Sequence, residues 1–138
     1  MKKKETKPTE RLLSRYPAMK NALANLIAQR QLVRQRLLRE KALLARGDGT
    51  KEALVEQLLT WEELSCQIAR LRAEMRRLER GLDALSDRDR RLLTAFFTPD
   101  YSSRTPFALM EQFGYEKSQL YHIRARALEQ LKENLGEE

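Results

Sequence analysis

The sequence contains few of the residues that catalysis, metal binding and disulfide formation require. Cys66 is the only cysteine and His122 the only histidine among 138 residues. A lone cysteine cannot form an internal disulfide. One cysteine and one distant histidine cannot supply a zinc site or a Cys/His nucleophile. We therefore expect no enzymatic activity, no metal and no cofactor.

Glycine, proline and long apolar runs are also scarce. With only 5 Gly and 4 Pro, the chain is expected to form long helices. Its longest largely apolar run, Leu92 to Phe97 with Thr94 inside it, is far shorter than the roughly 20 residues that cross a bilayer. The basic start, MKKKETKP, is followed by no apolar signal core. The composition predicts an all-α protein of the cytoplasm without a membrane span.

Basic residues exceed acidic ones, and the net charge of +7 favours a polyanionic partner. The charge is uneven along the chain. Residues 1–50 hold 13 Lys and Arg against 4 Asp and Glu, a net +9, whereas residues 51–85 (6 against 7) and residues 86–138 (8 against 9) each carry −1. Residues 1–9 contain four lysines and no apolar anchor, so we predict a flexible basic arm there.

Residues 10–85 are predicted to form an antiparallel coiled-coil hairpin. Two seams with alternating steps of four and three residues are apolar at eight and at nine of their ten positions. This period of 3.5 is typical of helices that pack lengthwise on one another. Because Pro17 is tolerated in a first helical turn only, the first long helix is expected to start near Tyr16. The seams consist of Leu12, Tyr16, Met19, Leu23, Leu26, Arg30, Val33, Leu37, Glu40 and Leu44, and of Leu54, Gln57, Trp61, Leu64, Ile68, Leu71, Met75, Leu78, Leu82 and Leu85.

Residues 47–50, GDGT, separate the two seams with two glycines and a threonine that can begin a helix. The chain is expected to reverse there. A two-helix hairpin buries only one stripe on each helix, so two hairpins can combine into a four-helix bundle. We therefore predict a homodimer formed through the hairpin.

Residues 86–138 are predicted to form a three-helix DNA-binding domain that contains a helix-turn-helix. Ser86 can begin its first helix with a capping box. Thr105 can cap the second helix, which has Pro106 in its first turn and ends at Gly114, where a left-handed residue is needed. The last helix then lies where a helix-turn-helix protein places its major-groove contacts.

Polar residues on the last helix, 117–134, carry the functional prediction. Gln can bond to adenine N6 and N7, Lys or Arg to guanine O6 and N7, and Ser or Tyr to phosphates or base edges. The opposite face is expected to be buried through Leu120, Ile123, Ala127, Leu128 and Leu131. The candidate DNA-binding residues are Lys117, Ser118, Gln119, Tyr121, His122, Arg124, Arg126, Arg88 and Arg104.

Parts of this domain resemble region four of bacterial RNA polymerase sigma factors. Residues 85–97, LSDRDRRLLTAFF, are similar to the opening L-x-x-R-E-R-x-V-L-x-L-R-F, and residues 105–114 are similar to T-L-E-E-I-A-E-x-F-G. Residues 114–131 run without a gap along G-V-S-R-E-R-V-R-Q-I-E-A-R-A-L-R-K-L. The resemblance covers about a third of the chain. It implies that the groove-facing positions fall on Lys117, Ser118, Gln119, Tyr121 and His122.

The hairpin and this domain together resemble small regulators of phage and prophage late genes, of the ArpU and RinA type. The resemblance implies a sequence-specific transcriptional regulator that binds double-stranded DNA, with RNA polymerase as a candidate partner. Glu116 stands where sigma factors have a Ser or Thr cap, and Phe107 stands where they usually have Glu. The sigma domain that melts promoters has no counterpart, so a complete sigma factor is not expected.

Other functions remain open on the sequence. The chain could be a coiled-coil adaptor or sigma mimic that binds RNA polymerase or another protein with little DNA contact. It could also be a phage packaging subunit, although in those proteins the DNA-binding motif usually precedes the oligomerising helices. Salt dependence distinguishes a DNA reader from an adaptor, because only phosphate contacts weaken steeply with salt.

Overall fold

The structure, a computed structural model, describes residues 6–136. These residues form five helices and no strand, so the prediction of an all-α protein is confirmed. The helices are α1 (Lys7–Ala45), α2 (Lys51–Asp83), α3 (Asp87–Phe96), α4 (Thr105–Phe113) and α5 (Lys117–Asn134). Within the described chain, no helix combines the length and the apolar character that crossing a membrane requires.

The chain divides into two compact units, and both α1 and α2 contribute to each of them. One unit is Ala18–Glu74. The other unit joins the start of the chain, up to Pro17, to the chain from Met75 onwards. Of the predicted basic arm, residues 7–9 belong to α1, and residues 1–5 lie outside the described residues.

The start of α1 differs from the sequence prediction. Pro17 lies inside the helix, so the expectation of a start near Tyr16 is wrong. A proline in a helix interior costs about 3 kcal/mol, because one backbone hydrogen bond is lost and the ring crowds the preceding turn. The segment before it buries Thr9, Leu12 and Leu13. Burial contributes about 1.5–3 kcal/mol for each leucine, which offsets the cost of the proline.

The predicted seams coincide with the covered faces of α1 and α2. All ten positions of each seam are buried or half-buried, including the polar members Arg30 and Gln57. In the Ala18–Glu74 unit, Val33, Leu37 and Leu64 form a buried cluster. The 3.5-residue period therefore identified the packed stripe of each helix.

Arg30 shows how a charged residue is accommodated in a seam. Its Nη1 donates a hydrogen bond to Ser65 Oγ at 3.4 Å, and its guanidinium lies 5.3 Å from the centroid of the Trp61 ring. A cation over an indole face is stabilised by the ring quadrupole. The aliphatic stem of Arg30 can thus fill the seam while its charge is held at the rim.

The turn between α1 and α2 forms as its residues predict. Gly47 has a φ of 79°, in the left-handed region that ends many helices. Thr50 Oγ1 accepts a hydrogen bond from the backbone N–H of Ala53 at 3.1 Å, which caps the start of α2.

In the second unit, three helices share one core. Leu92 and Phe96 of α3, Leu109 of α4 and Leu120 of α5 form a buried cluster. The N-cap of α3 is Ser86, whose hydroxyl accepts a hydrogen bond from the backbone N–H of residue 89 at 3.2 Å, as predicted. This core fixes α5 relative to α3 and α4.

The C-terminal half of α5 packs closely on α2. Asn134 Nδ2 donates to the carbonyl oxygen of Gly81 at 3.0 Å, and Arg77 Nη1 donates to the carbonyl oxygen of Leu135 at 3.1 Å. A Cβ atom at Gly81 would lie 2.9 Å from Leu131 Cδ1. The glycine therefore permits an approach of the two helices that a larger residue would obstruct.

The first turns of α1 belong to the same unit and contact it through polar groups. Glu10 Oε1 pairs with Arg124 Nη2 at 3.1 Å. The Tyr16 hydroxyl donates a hydrogen bond to Glu79. Burial, together with that hydrogen bond to a carboxylate, raises the pKa of Tyr16 to about 12. These contacts join residues that lie far apart in the sequence.

Candidate nucleic-acid interface

A three-residue turn sets the position of α5 after α4. Gly114 adopts φ 71° and ψ 31°, in the left-handed region that strongly favours glycine. The backbone N–H of Tyr115 donates to the carbonyl oxygen of Met110 at 3.0 Å, which closes the end of α4. The prediction that Gly114 ends this helix is therefore confirmed.

The start of α4 lies one residue from its predicted position. The helix begins at Thr105, and Arg104 occupies the N-cap position without a side-chain hydrogen bond to the helix. Thr105 as the N-cap is thus wrong. Its hydroxyl instead accepts a hydrogen bond from the backbone N–H of Ser102 at 3.0 Å. Pro106 lies in the first turn as predicted, where its missing N–H is not needed.

The helix α5 has one buried face and one exposed face. Its predicted buried residues are buried, apart from Ile123, which is half-buried against the shared core. Exposed side chains occupy the first two turns on the other face. The exposed predicted DNA-binding residues of α5 are Lys117, Ser118, Gln119, Tyr121, His122 and Arg126.

The N-terminus of α5 is open to an anionic ligand. Glu116 occupies the N-cap position with extended backbone, φ −79° and ψ 161°, and makes no side-chain hydrogen bond to the first turn. That turn contains no acidic residue. The first N–H groups of a helix have no partner within it, and the helix dipole attracts negative charge. Lys117 adds a full positive charge at the same end, which the exposed carboxylate of Glu116 partly offsets.

Tyr121 lies at the edge of the exposed face, where it is partly supported by the core. Its ring centroid is 5.7 Å from that of Phe96, and its side chain remains 38% exposed. The aromatic contact limits where the ring can move. The hydroxyl group is thereby presented from a partly fixed position.

Arg124 occupies a different environment from the other predicted DNA-binding residues of α5. It is half-buried and forms the ion pair with Glu10. Its guanidinium carbon lies 5.1 Å from the centroid of Phe96 and 5.3 Å from that of Phe97. These contacts give Arg124 a role in holding α1, α3 and α5 together.

Arg88 and Arg126 line a small cleft of about 160 Å³ beside Ile123 and Gln130. Arg88 Nη1 donates to the Tyr115 hydroxyl at 3.1 Å, and Arg88 Nη2 pairs with Asp89 at 3.1 Å. The hydrogen bond to Tyr115, followed by the one to Asp89, raises the pKa of Arg88 above its usual value. Arg88 is therefore held in position, with its positive charge partly compensated by the adjacent carboxylate.

The nine predicted residues thus fall into separate groups. Five of them occupy the first two turns of α5, and Arg88 and Arg126 share the cleft. Arg104 is exposed at the start of α4, and Arg124 lies inside the packed unit. Sequence reasoning missed Glu10 and Tyr115 as the partners of Arg124 and Arg88. No periodic pattern could indicate these pairs, because their members lie on different helices or in the turn.

Comparisons of the chain with protein-family models, with curated proteins and with solved structures find no match. The function of this protein is therefore inferred from its own residues and their geometry.

Proposed function

We propose that this protein is a sequence-specific transcriptional regulator that binds double-stranded DNA. In this proposal α1 and α2 form an antiparallel hairpin, and α4 and α5 form a helix-turn-helix. The observation that carries the proposal is the exposed polar start of α5. Its side chains project from a helix that is anchored by buried leucines on its other face. A rigid helix with a polar, uncapped N-terminal end is suited to major-groove binding.

The residue types on this surface are suited to reading bases. Gln119 can form two hydrogen bonds with adenine, and Lys117 can bond to guanine or to a phosphate. Ser118 and His122 can reach phosphates or base edges from the same turns. Arg88 and Arg126 supply two further cations from the cleft between α3 and α5.

The net charge of residues 86–138 indicates that other parts of the protein contribute to DNA affinity. Residues 86–138 carry 8 basic and 9 acidic residues, a net −1. Phosphate contacts supply most of the sequence-independent affinity for DNA. One domain alone should therefore bind weakly, and in a dimer two domains would engage two half-sites of one operator. A role in phage or prophage late-gene control rests on the resemblance to regulators of the ArpU and RinA type.

Selection of bound fragments from the source genome tests this proposal. The full chain is incubated with fragmented genomic DNA, and bound fragments are sequenced for wild type and for Lys117→Ala, Gln119→Ala and His122→Ala. We expect wild type to enrich one motif. Gln119→Ala should lose about 1–3 kcal/mol of discrimination at one base pair and relax the preference there. Lys117→Ala, if it removes a phosphate contact, should weaken all sequences similarly and reduce the salt slope by about one.

Gln67→Ala is a control for Gln119→Ala. Both glutamines are exposed on a helix, but Gln67 lies on α2 in the Ala18–Glu74 unit, outside the helix-turn-helix of the proposal. We expect the control to enrich the wild-type motif. If wild type enriches no motif, or if Gln67→Ala relaxes the preference as much as Gln119→Ala, reading by the first turns of α5 is refuted.

A second candidate function is an adaptor that binds RNA polymerase with little DNA contact. The observation in its favour is Phe107, which is 63% exposed on α4. A groove of about 440 Å³ also lies between α3 and α4, lined by Ala95, Leu109 and Phe113 among other residues and separate from Phe107. Exposed aromatic side chains are enriched in protein interfaces. The adaptor predicts that purified RNA polymerase binds wild type but not Phe107→Ala, with no motif enriched on DNA.

A further inference from the structure

The Ala18–Glu74 unit exposes more apolar surface than its packed seams require. Leu38 is 58% exposed, Val55 50%, Leu58 40% and Leu59 61%. The four residues lie in the parts of α1 and α2 next to their connecting loop. Single exposed leucines are common on soluble proteins, but a clustered apolar patch indicates a binding surface.

The heptad register places these residues together. With the seam positions taken as a and d, Leu38 and Val55 occupy b positions, Leu58 an e position and Leu59 the adjacent f position. When two antiparallel helices pack on each other through their a and d positions, the e and b positions of both helices lie on the same side of the pair. Arg30 of α1 contacts Ser65 of α2. Because the helices run in opposite directions, eight residues further along α1 correspond to eight residues back along α2, so Leu38 lies level with residue 57. We call Leu38, Val55, Leu58 and Leu59 the apolar flank.

Leu32 lies on the other side of the same helix. It is 54% exposed, like Leu38, but it occupies a c position. The c and g positions of two opposed helices lie on the side away from e and b. Leu32 therefore offers an internal comparison that has the same residue type, helix and exposure.

The two helices also carry opposite charges on the flank side. The exposed cations of α1 on that side are Arg34 and Lys41, both at e positions. On α2 the exposed carboxylates of that side are Glu62, at a b position, and Glu52, at an f position beside Lys51. The register puts Arg34 level with residue 61, next to Glu62. A two-fold axis parallel to the helices can place α1 of one copy against α2 of the other, so that Arg34 of each copy meets the carboxylate of Glu62. The surface is thus complementary to itself, as an isologous interface requires.

We infer that the apolar flank is covered by the same flank of a second copy of this chain. The two copies then form a four-helix assembly in which α1 of each copy packs on α2 of the other. Association removes the exposed leucines from water, and the opposite charges select this orientation. This inference goes beyond DNA binding and does not depend on it.

Sedimentation equilibrium of the full chain without DNA tests the inference. We expect wild type to be a dimer across the micromolar range. Leu38→Glu and Leu58→Glu each place two charges in the symmetric interface, so each should raise the dimer dissociation constant about a hundredfold or more. Leu32→Glu should leave the dissociation constant within about threefold of wild type, because it changes the opposite side.

Far-UV circular dichroism accompanies each variant. All three substitutions replace exposed residues, so helix content should be retained and a loss of dimer cannot be attributed to unfolding. A monomeric wild type at high micromolar concentration refutes the interface. Equal weakening by Leu32→Glu and Leu38→Glu also refutes it, because the flank would then have no special role. Neither result bears on DNA reading by α5, which the fragment selection tests separately.

Discussion

The ion pair between Glu10 and Arg124 provides the most direct test of how the start of α1 is held. Arg124→Met removes the charge and keeps most of the side-chain volume, whereas Glu10→Gln removes the opposite charge. Residues 10 and 124 are far apart in the chain, so their coupling reports tertiary packing alone. The pair lies within one compact unit, with an Nη2 to Oε1 distance of 3.1 Å.

The expected coupling follows from the exposure of the two side chains. Fully exposed ion pairs contribute about 0.2–1 kcal/mol, and breaking a buried pair costs about 3–5 kcal/mol. Arg124 and Glu10 have side-chain exposures of 26% and 28%, between these limits. The Nε atom of Arg124 is buried and has no hydrogen-bond partner among residues 6–136, which offsets part of the gain. We expect a coupling of about 1–2 kcal/mol after this discount for solvent screening.

The arginine should contribute more than its ion pair. Its guanidinium carbon lies 5.1 Å from the ring centroid of Phe96 and 5.3 Å from that of Phe97. Each cation–π contact adds about 0.5–1 kcal/mol at a partly exposed site. Arg124→Met should therefore lower the free energy of unfolding by about 2–4 kcal/mol, and Glu10→Gln should lower it by about 1–2 kcal/mol.

Urea denaturation of wild type, both single variants and the double variant gives the coupling as a double-mutant cycle. The matched control is the ion pair of Arg91 with Asp87, at 3.2 Å on the surface of α3, with side-chain exposures of 63% and 60%. The cycle for Arg91→Met and Asp87→Asn should give at most about 0.5 kcal/mol. Equal coupling in the two cycles would refute the claim that burial strengthens the Glu10–Arg124 pair.

The variant Arg124→Met also tests whether Arg124 contacts DNA or serves only in packing. Its charge is paired inside the unit, so folded Arg124→Met should lose less DNA affinity than Lys117→Ala. Both affinities are measured at the same salt concentration and without urea, so that both variants are folded. A larger loss for Arg124→Met would instead support the sequence-based prediction that Arg124 contacts DNA directly.

Three further predictions concern stability. Gly81→Ala should gain about 1 kcal/mol in helix propensity but lose about 1–3 kcal/mol through crowding of the Leu131 methyl group. Urea denaturation should therefore show a net destabilisation of up to about 2 kcal/mol. A clear stabilisation would contradict the close approach of α2 and α5. Gly114→Ala should cost about 1–2 kcal/mol because of its left-handed φ, whereas an unchanged urea midpoint would contradict this. Tyr16 has a folded pKa of about 12, above its ordinary 10, so the stability it contributes is complete below pH 10 and is lost as the pH rises through 12. Tyr16→Phe should therefore show a shallower loss of stability between pH 10 and 12 than wild type, and identical slopes would contradict the effect of its bond to Glu79.

The ends of several helices could be predicted because the responsible interactions are local. Thr50 and Ser86 accept hydrogen bonds from backbone N–H groups three residues later. Gly114 provides a left-handed conformation that strongly favours glycine. Such interactions span only a few residues, so the residue type and its position suffice to identify them. The one-residue difference at Thr105 arose because its hydroxyl bonds to the preceding loop.

The candidate interface could be predicted in part. The alternation of leucines and polar residues indicated which side of α5 is buried, and Leu120, Leu128 and Leu131 are almost completely enclosed. Side-chain direction on a helix follows from its 3.6-residue period. That period says nothing about which distant residue lies against a given position. It therefore left Arg124 among the exposed arginines and did not reveal that Lys132 is buried.

The local sequence is enough to predict the all-helical architecture, the packed stripes of α1 and α2 and the polar start of α5, because each follows from a repeat or a cap within a few turns. Packing between distant segments, by contrast, extends α1 through Pro17 to Lys7 and pairs Arg124 with Glu10. Both depend on burial against residues from the other end of the chain. The free energy of such contacts exceeds a local preference only after the distant segments have packed.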